Sequence, residues 1–148
     1  MLPNTKTSEE FALLASVDPA SQATGTVTTG WINTTNFAKF MALISTGVLG
    51  AAATVDAKIQ QAQDNVGTGA KDVTGKAIVQ IIKATGDNKQ ALINFRGEDL
   101  DINGGFGFVR VSVTVGTAAS QAAAYLFGAV PRFAPAEPFN QAAVAQVI

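Results

Sequence analysis

Six consecutive residues, Asp99-Leu100-Asp101-Ile102-Asn103-Gly104, match the opening of a calcium-binding loop, Asp-x-Asp-x-Asn-Gly, in which alternate oxygens face one cation. Such a loop is completed by a bidentate Glu at its twelfth position, and that position here is Arg110, itself a cation. Asp99, Asp101 and Asn103, with Glu98 beside them, therefore form a partial set that holds a hard cation only weakly. The competing reading is a solvated turn, with Asn103-Gly104-Gly105 providing the positive-φ residues of a hairpin connection. A second stretch, residues 70–77, has the outline of a phosphate-binding loop. Ala70 replaces its first glycine and Ala77 its metal-binding hydroxyl, so neither the close backbone approach nor the ligand survives. No Gly-x-Gly-x-x-Gly opens a helix.

Nucleophilic and acid–base chemistry fare no better. The chain has no His and no Cys, which removes the commonest general base, the commonest transition-metal ligand and all thiolate chemistry. Serines are present without a histidine to activate them, and no Gly-x-Ser-x-Gly elbow occurs. Paired carboxylates stand only at Glu9-Glu10 and in the 98–101 stretch, both in segments that read as exposed. The expectation is a protein without hydrolase or transferase activity and without a cofactor. Trp31, Phe37 and Phe40 could form an aromatic sugar platform, although aromatics in strands more often fill a core.

Composition bounds the rest. At 148 residues the chain fits one domain, long enough to bury about 68–70% of its unfolded surface. Ten basic and eleven acidic residues leave a net charge of −1, with no basic excess to collect phosphates, so nucleic acid is not an expected partner. Only 14% of residues are charged, against about 25% in an ordinary domain, and a surface so poor in charge resists self-association weakly. The start of the chain has no basic region followed by an apolar core, so no secretory signal is expected. The charge-free runs 40–55 and 111–131 are too short or too diluted by Ser, Thr and Gln for a membrane span; they read as buried strands.

Periodicity supplies the architecture. Phe108 to Val115 places Val109, Val111, Val113 and Val115 on one face and Arg110, Ser112 and Thr114 on the other, the period of two of a half-buried strand. Residues 53–63 alternate in the same way, burying Val55 and Ile59 and exposing Asp56 and Lys58, although Val55, Ile59 and Ala62 also fit a helix face. Further strands are expected over 26–34, 37–48, 76–83, 91–96 and 123–130, with a loop over 64–75. Thr7-Ser8-Glu9-Glu10 has the spacing of a capping box, so a short helix is expected to follow, with Phe11 and Leu14 on one face and Asp18-Pro19 as its stop. The expected fold is all-β: a single β-sandwich or jelly-roll-like domain of about seven strands with a short N-terminal helix or arm. Residues 1–28 form the arm, 29–135 the sandwich and 136–148 a C-terminal tail.

The stretch from Trp31 to Pro135 resembles a group of small virion proteins of tailed bacteriophages and prophages. The likeness is carried by Gly30-Trp31-Ile32-Asn33-Thr34, by 40–47 and 54–62, by 74–78, by Gly105-Phe106-Gly107-Phe108-Val109-Arg110-Val111, and by the closing 126–135 with its Gly128-Ala129-Val130-Pro131-Arg132. The resemblance implies a structural role in the phage head: a capsid decoration or cement protein that binds the major capsid protein and itself, as a homo-oligomer such as a trimer. It implies made-in-cytoplasm, virion-resident protein, with no nucleic-acid or membrane partner. A tail or head–tail connector component and a carbohydrate-binding adsorption module are the alternatives. Assembly is expected through apolar residues on the two terminal segments: Leu2, Phe11, Leu13 and Leu14 at one end, Phe133, Phe139, Val144, Val147 and Ile148 at the other. Loops 64–75 and 97–107 are the other candidates for the shell contact.

Overall fold

In the computed structural model, which describes residues 3–148, the elements in chain order are α1 (Thr7–Glu10), β1 (Phe11–Gln22), β2 (Gly25–Thr28), β3 (Ile32–Asn33), β4 (Phe37–Thr46), β5 (Thr54–Ala62), β6 (Lys71–Ala77), β7 (Ile81–Ile82), α2 (Lys83–Gly86), β8 (Gln90–Arg96), β9 (Phe108–Gly116) and β10 (Ser120–Pro131). Two antiparallel sheets face each other. One runs β1-β10-β4-β8; the other runs β2-β9-β5-β6, with β3 also on β9 and β7 on β5. The β-sandwich is as expected, with ten strands where the sequence separates about seven.

The core lies between the sheets and follows from alternation. Val55, Ala57 and Ile59 of β5 and Val109, Val111, Val113 and Val115 of β9 point inward and are almost fully buried, with Asp56, Lys58, Arg110 and Thr114 outside. From the other sheet come Ala12, Leu14 and Val17 of β1, Phe40, Ala42 and Ile44 of β4, Ile93 and Phe95 of β8, and Ala124 and Leu126 of β10. Phe40 stacks on Phe95 with ring centroids 5.1 Å apart, and Phe37 meets Phe139 edge-on at 5.4 Å. Among the described residues every buried side-chain nitrogen or oxygen has a hydrogen-bond partner.

Two expectations about local structure are corrected. The expected N-terminal helix is a single turn, α1, whose Glu9 carboxylate accepts the Lys6 N–H; Thr7 is not its cap. Phe11 to Gln22 is instead a twelve-residue edge strand. A helix of that length alone is marginal in water, whereas antiparallel pairing with β10 satisfies its backbone and buries Leu14 and Val17. Pro19 falls in the irregular stretch between Val17 and Ala20, where its missing N–H leaves no gap in the ladder. The second correction concerns residues 64–83. The loop ends at Ala70, and 71–77 pairs with β5, while Ile81 and Ile82 make a two-residue strand that runs into α2. Gly75, at φ +74, breaks the run inside β6.

Candidate functional site

The residues with calcium-loop spacing do not converge on a cation. The Asp99 carboxylate accepts the Arg96 N–H at 2.8 Å and lies 3.4 Å from the Lys76 ammonium. The Asp101 carboxylate binds the Lys71 ammonium at 2.6 Å and the Gly104 N–H at 3.0 Å; Lys71 holds its pKa below the usual 3.8, the Gly104 N–H helping. Asn103 is exposed on the turn. Lysines and backbone donors thus occupy the oxygens a metal would need, and no cluster of three metal-ligating residues forms among the described residues. The turn is held from the sandwich by Gln61, a buried polar residue of β5 whose Oε1 accepts the Asp101 N–H, while Gln63 Nε2 donates to the Gly104 carbonyl.

The three aromatics that could make a sugar platform are dispersed. Phe37 and Phe40 lie in the core. The ring of Trp31 is covered by the Arg110 guanidinium, 4.4 Å from its centroid. Gly67, at φ +90, lies against the Trp31 edge, where any Cβ would come within 2.7 Å of Nε1.

The terminal apolar residues divide. Phe11 and Leu14 belong to β1, Leu14 facing the core at 8% exposure. Phe139 packs on the core's edge against Phe37. The tail folds back along β1: the Leu13 N–H donates to Asn140 Oδ1, the Gln141 N–H to the Leu13 carbonyl, and the Ala136 N–H to the Glu9 carbonyl. These bonds use up edge groups of β1 that would otherwise invite another strand. Phe133 at 77%, Val147 at 47% and Ile148 at 100% exposure remain uncovered. Leu2 lies outside the described residues.

A contiguous apolar band lies where sequence reasoning did not place it, on the outer face of the β1-β10-β4-β8 sheet. Cross-strand register aligns its outward side chains in rows. Phe11, Ala129, Lys39 and Arg96 make the first, Leu13, Phe127, Met41 and Asn94 the second, and Ser16, Tyr125, Leu43 and Leu92 the third. All but Leu92 of the large apolar members are partly exposed, and Leu92 is 57% exposed. At the first row this face opens into a groove of about 670 Å³ lined by Phe11, Met41, Val130, Pro131, Pro135 and Lys39. A signal for this face is in the sequence. In 40–44 and 122–127 both alternating sets are apolar, the pattern of strands covered on both sides.

The outer face of the other sheet is polar and closed upon itself. Arg110 Nε donates to Gln60 Oε1 at 2.9 Å, and Gln60 Nε2 donates to Asp72 Oδ1 at 3.0 Å. Lys58 Nζ reaches Asp72 Oδ2 at 2.8 Å, and Gln80 Nε2 donates to Asp56 at 2.7 Å. Lys58 and then Gln60 hold the Asp72 carboxyl below its ordinary 3.8.

No protein-family model matches the chain, and no curated protein matches it in sequence. Solved structures resemble it in fold. The SPBc2 prophage-derived protein YomS is 9% identical over 80% of this chain and 94% of its own, at a TM-score of 0.44. A chain from the infectious bursal disease virus Gt strain is 8% identical over 86% of this chain, at 0.44, and this chain spans 33% of its length. A CBM4 structure is 15% identical over 84% and 70% of the two chains, at 0.40. At these values the likeness concerns the fold, and no functional conclusion rests on it.

Proposed function

We propose that the chain is a non-enzymatic virion structural protein of a tailed phage, a capsid decoration or cement protein that binds the major capsid shell. What carries this is the placement of uncovered apolar side chains: a band across one sheet face, and Phe133, Val147 and Ile148 on the segment after β10. Scattered surface apolar residues are ordinary, but a contiguous band marks a contact surface. The accessible surface, 7945 Å², also exceeds the roughly 7,100 Å² expected of a folded monomer of this mass. The phage setting comes from the sequence resemblance over 31–135. In this proposal Phe133, Val147 and Ile148 meet the shell, and the fold supplies a rigid body behind them.

Copy number tests the assignment. A mass-resolved gel of purified particles is expected to show the chain in hundreds of copies, in proportion to the shell protein. A ring's worth of copies identifies a head–tail connector or tail component instead, and binding to host glycans with absence from the head identifies an adsorption module. Deleting residues 142–148 is expected to abolish shell binding while leaving the melting transition in place, because the contacts of Phe139, Asn140 and Gln141 are kept.

A further inference from the structure

At the middle of the β1-β10-β4-β8 sheet the outward side chains Leu13, Phe127, Met41, Tyr125, Leu43 and Leu92 form an apolar patch, bounded by Lys39 and Arg96 at one end and by Ser16, which accepts from Gln141, on the β1 side. An antiparallel sheet with one wet face places polar residues outward, as β9 does with Arg110, Ser112 and Thr114; the outward positions of β4 and β10 hold Met41, Leu43, Tyr125 and Phe127 instead. Sequence and structure therefore agree that this face is built to be covered.

We propose that its occupant is a second copy of the same chain, packed face to face across a two-fold axis. The arrangement of the rows is self-complementary. An axis running along the strands between β10 and β4 lays β10 of one copy over β4 of the other and β1 over β8. Phe127 then meets Met41 of the second copy, Tyr125 meets its Leu43, and each pairing occurs twice, as an isologous interface requires. Sulfur–aromatic and aromatic–aliphatic contacts of this kind pack adaptably. Charge follows the same symmetry. The β1 side carries Glu9, Glu10 and Asp18, and the β4–β8 side carries Lys39 and Lys89, so the axis turns these lysines toward the acidic side; Arg96 is already paired with Glu98 of its own chain at 3.1 Å, and Lys6 lies at the β1 end. Among the described residues Lys39 has no carboxylate partner within its own chain. The area is also adequate. Four strands about 4.8 Å apart and ten residues long make a face of roughly 600 Å², close to the ~800 Å² per partner of a standard interface. At Leu13 the edge of β1 is already bonded by the tail, which works against edge-to-edge pairing there.

This dimer is independent of the phage setting, and the experiment separates the two. The full chain is followed by sedimentation velocity over a range of concentrations, alongside Leu43→Glu, Leu92→Lys and, on the opposite face, Thr114→Glu. Binding of each to particles purified from the producing strain and stripped of the chain is measured in parallel. The wild-type chain and Thr114→Glu are expected to dimerise, and the two face variants to dissociate at least a hundredfold more readily with unchanged melting of the monomer. Leu92 is exposed enough that its variant keeps the fold even if Leu43→Glu does not. A wild-type chain that stays monomeric throughout, face variants that dimerise normally, or dissociation by Thr114→Glu overturns the proposal. Monomeric wild type with shell binding lost in the face variants makes the shell the occupant. Intact dimerisation without shell binding removes the phage assignment and leaves the dimer standing.

Discussion

The two outer faces of this sandwich are built on the same kind of antiparallel sheet and end up chemically opposite. Over β9, β5 and β6, residues pointing away from the core include Arg110, Gln60, Lys58 and Asp72, joined in one run of side-chain hydrogen bonds, and Asp56, which accepts from Gln80. Over β10 and β4 the equivalent positions hold Phe127, Tyr125, Met41 and Leu43, which satisfy nothing and keep apolar area in solvent. Each of these side chains is already more than half buried, so covering the remainder is worth a fraction of the full-burial value of about 1.5–3 kcal/mol. The polar face gains nothing comparable from being covered, since its hydrogen bonds already have partners. The difference separates a surface made for water from one made for another protein.

Neighbouring residues of β10 give the sharpest way to break that comparison. Leu126 is fully buried, and Leu126→Ala is expected to lower the stability of the monomer by about 2–5 kcal/mol. Phe127, one residue on, faces outward; Phe127→Ala is expected to cost the monomer less than about 1.5 kcal/mol while weakening association. Chemical denaturation at low protein concentration measures both. Equal losses would mean that Phe127 serves the monomer's own core and the outer face is not a separate surface.

A smaller effect is expected at Gly128, whose added Cβ would stand 2.6 Å from the Phe37 ring. Gly128→Ala should destabilise the monomer by roughly 1–3 kcal/mol through overpacking, with dimerisation per folded chain unchanged. A drop in association at full monomer stability would show that the strand's inner and outer faces are coupled.

The polar face is expected to matter least. Asp72→Ala removes the acceptor of Lys58 and Gln60, but these are solvent-exposed partners, so the loss should stay below about 1 kcal/mol and leave the oligomeric state alone. Acid reads out the same groups. Asp64, Asp72, Asp87 and Asp101 all have folded pKa values below 3.8, so the stability they contribute is fully present above that pH and is lost as pH falls through the lowered values. With no histidine to titrate, the melting temperature is expected to be level between about pH 5 and 8 and to fall below about pH 4. A transition centred near pH 6 would contradict this.

The sandwich was legible because β5 and β9 alternate strictly, and strict alternation has one structural meaning. Residues 11–22 were not, because a capping-box spacing and two apolar residues three apart describe a helix as well as a strand; the pairing with β10 that decides between them is a long-range contact. The loop that turned out to hold β6 was hidden by its glycines. As for the site, the calcium-like spacing at 99–104 was visible but its lysine partners, Lys71 and Lys76, are brought in by β6. The doubly apolar strands were also visible, yet a run such as 40–44 does not say on its own whether its second face meets the same core or another molecule.

The chain offers an internal reporter pair for the central claim, since its single tyrosine, Tyr125, lies on the apolar face and its single tryptophan, Trp31, packs under Arg110 at the end of the polar one. Hydroxyl-radical labelling read by mass spectrometry across a dilution series compares them within one sample. Labelling of Tyr125, Phe127 and Met41 is expected to fall several-fold as concentration rises, while Trp31 stays constant. Equal labelling of Tyr125 at every concentration, or protection that spreads to Trp31, would contradict an assembly surface confined to the β1-β10-β4-β8 face.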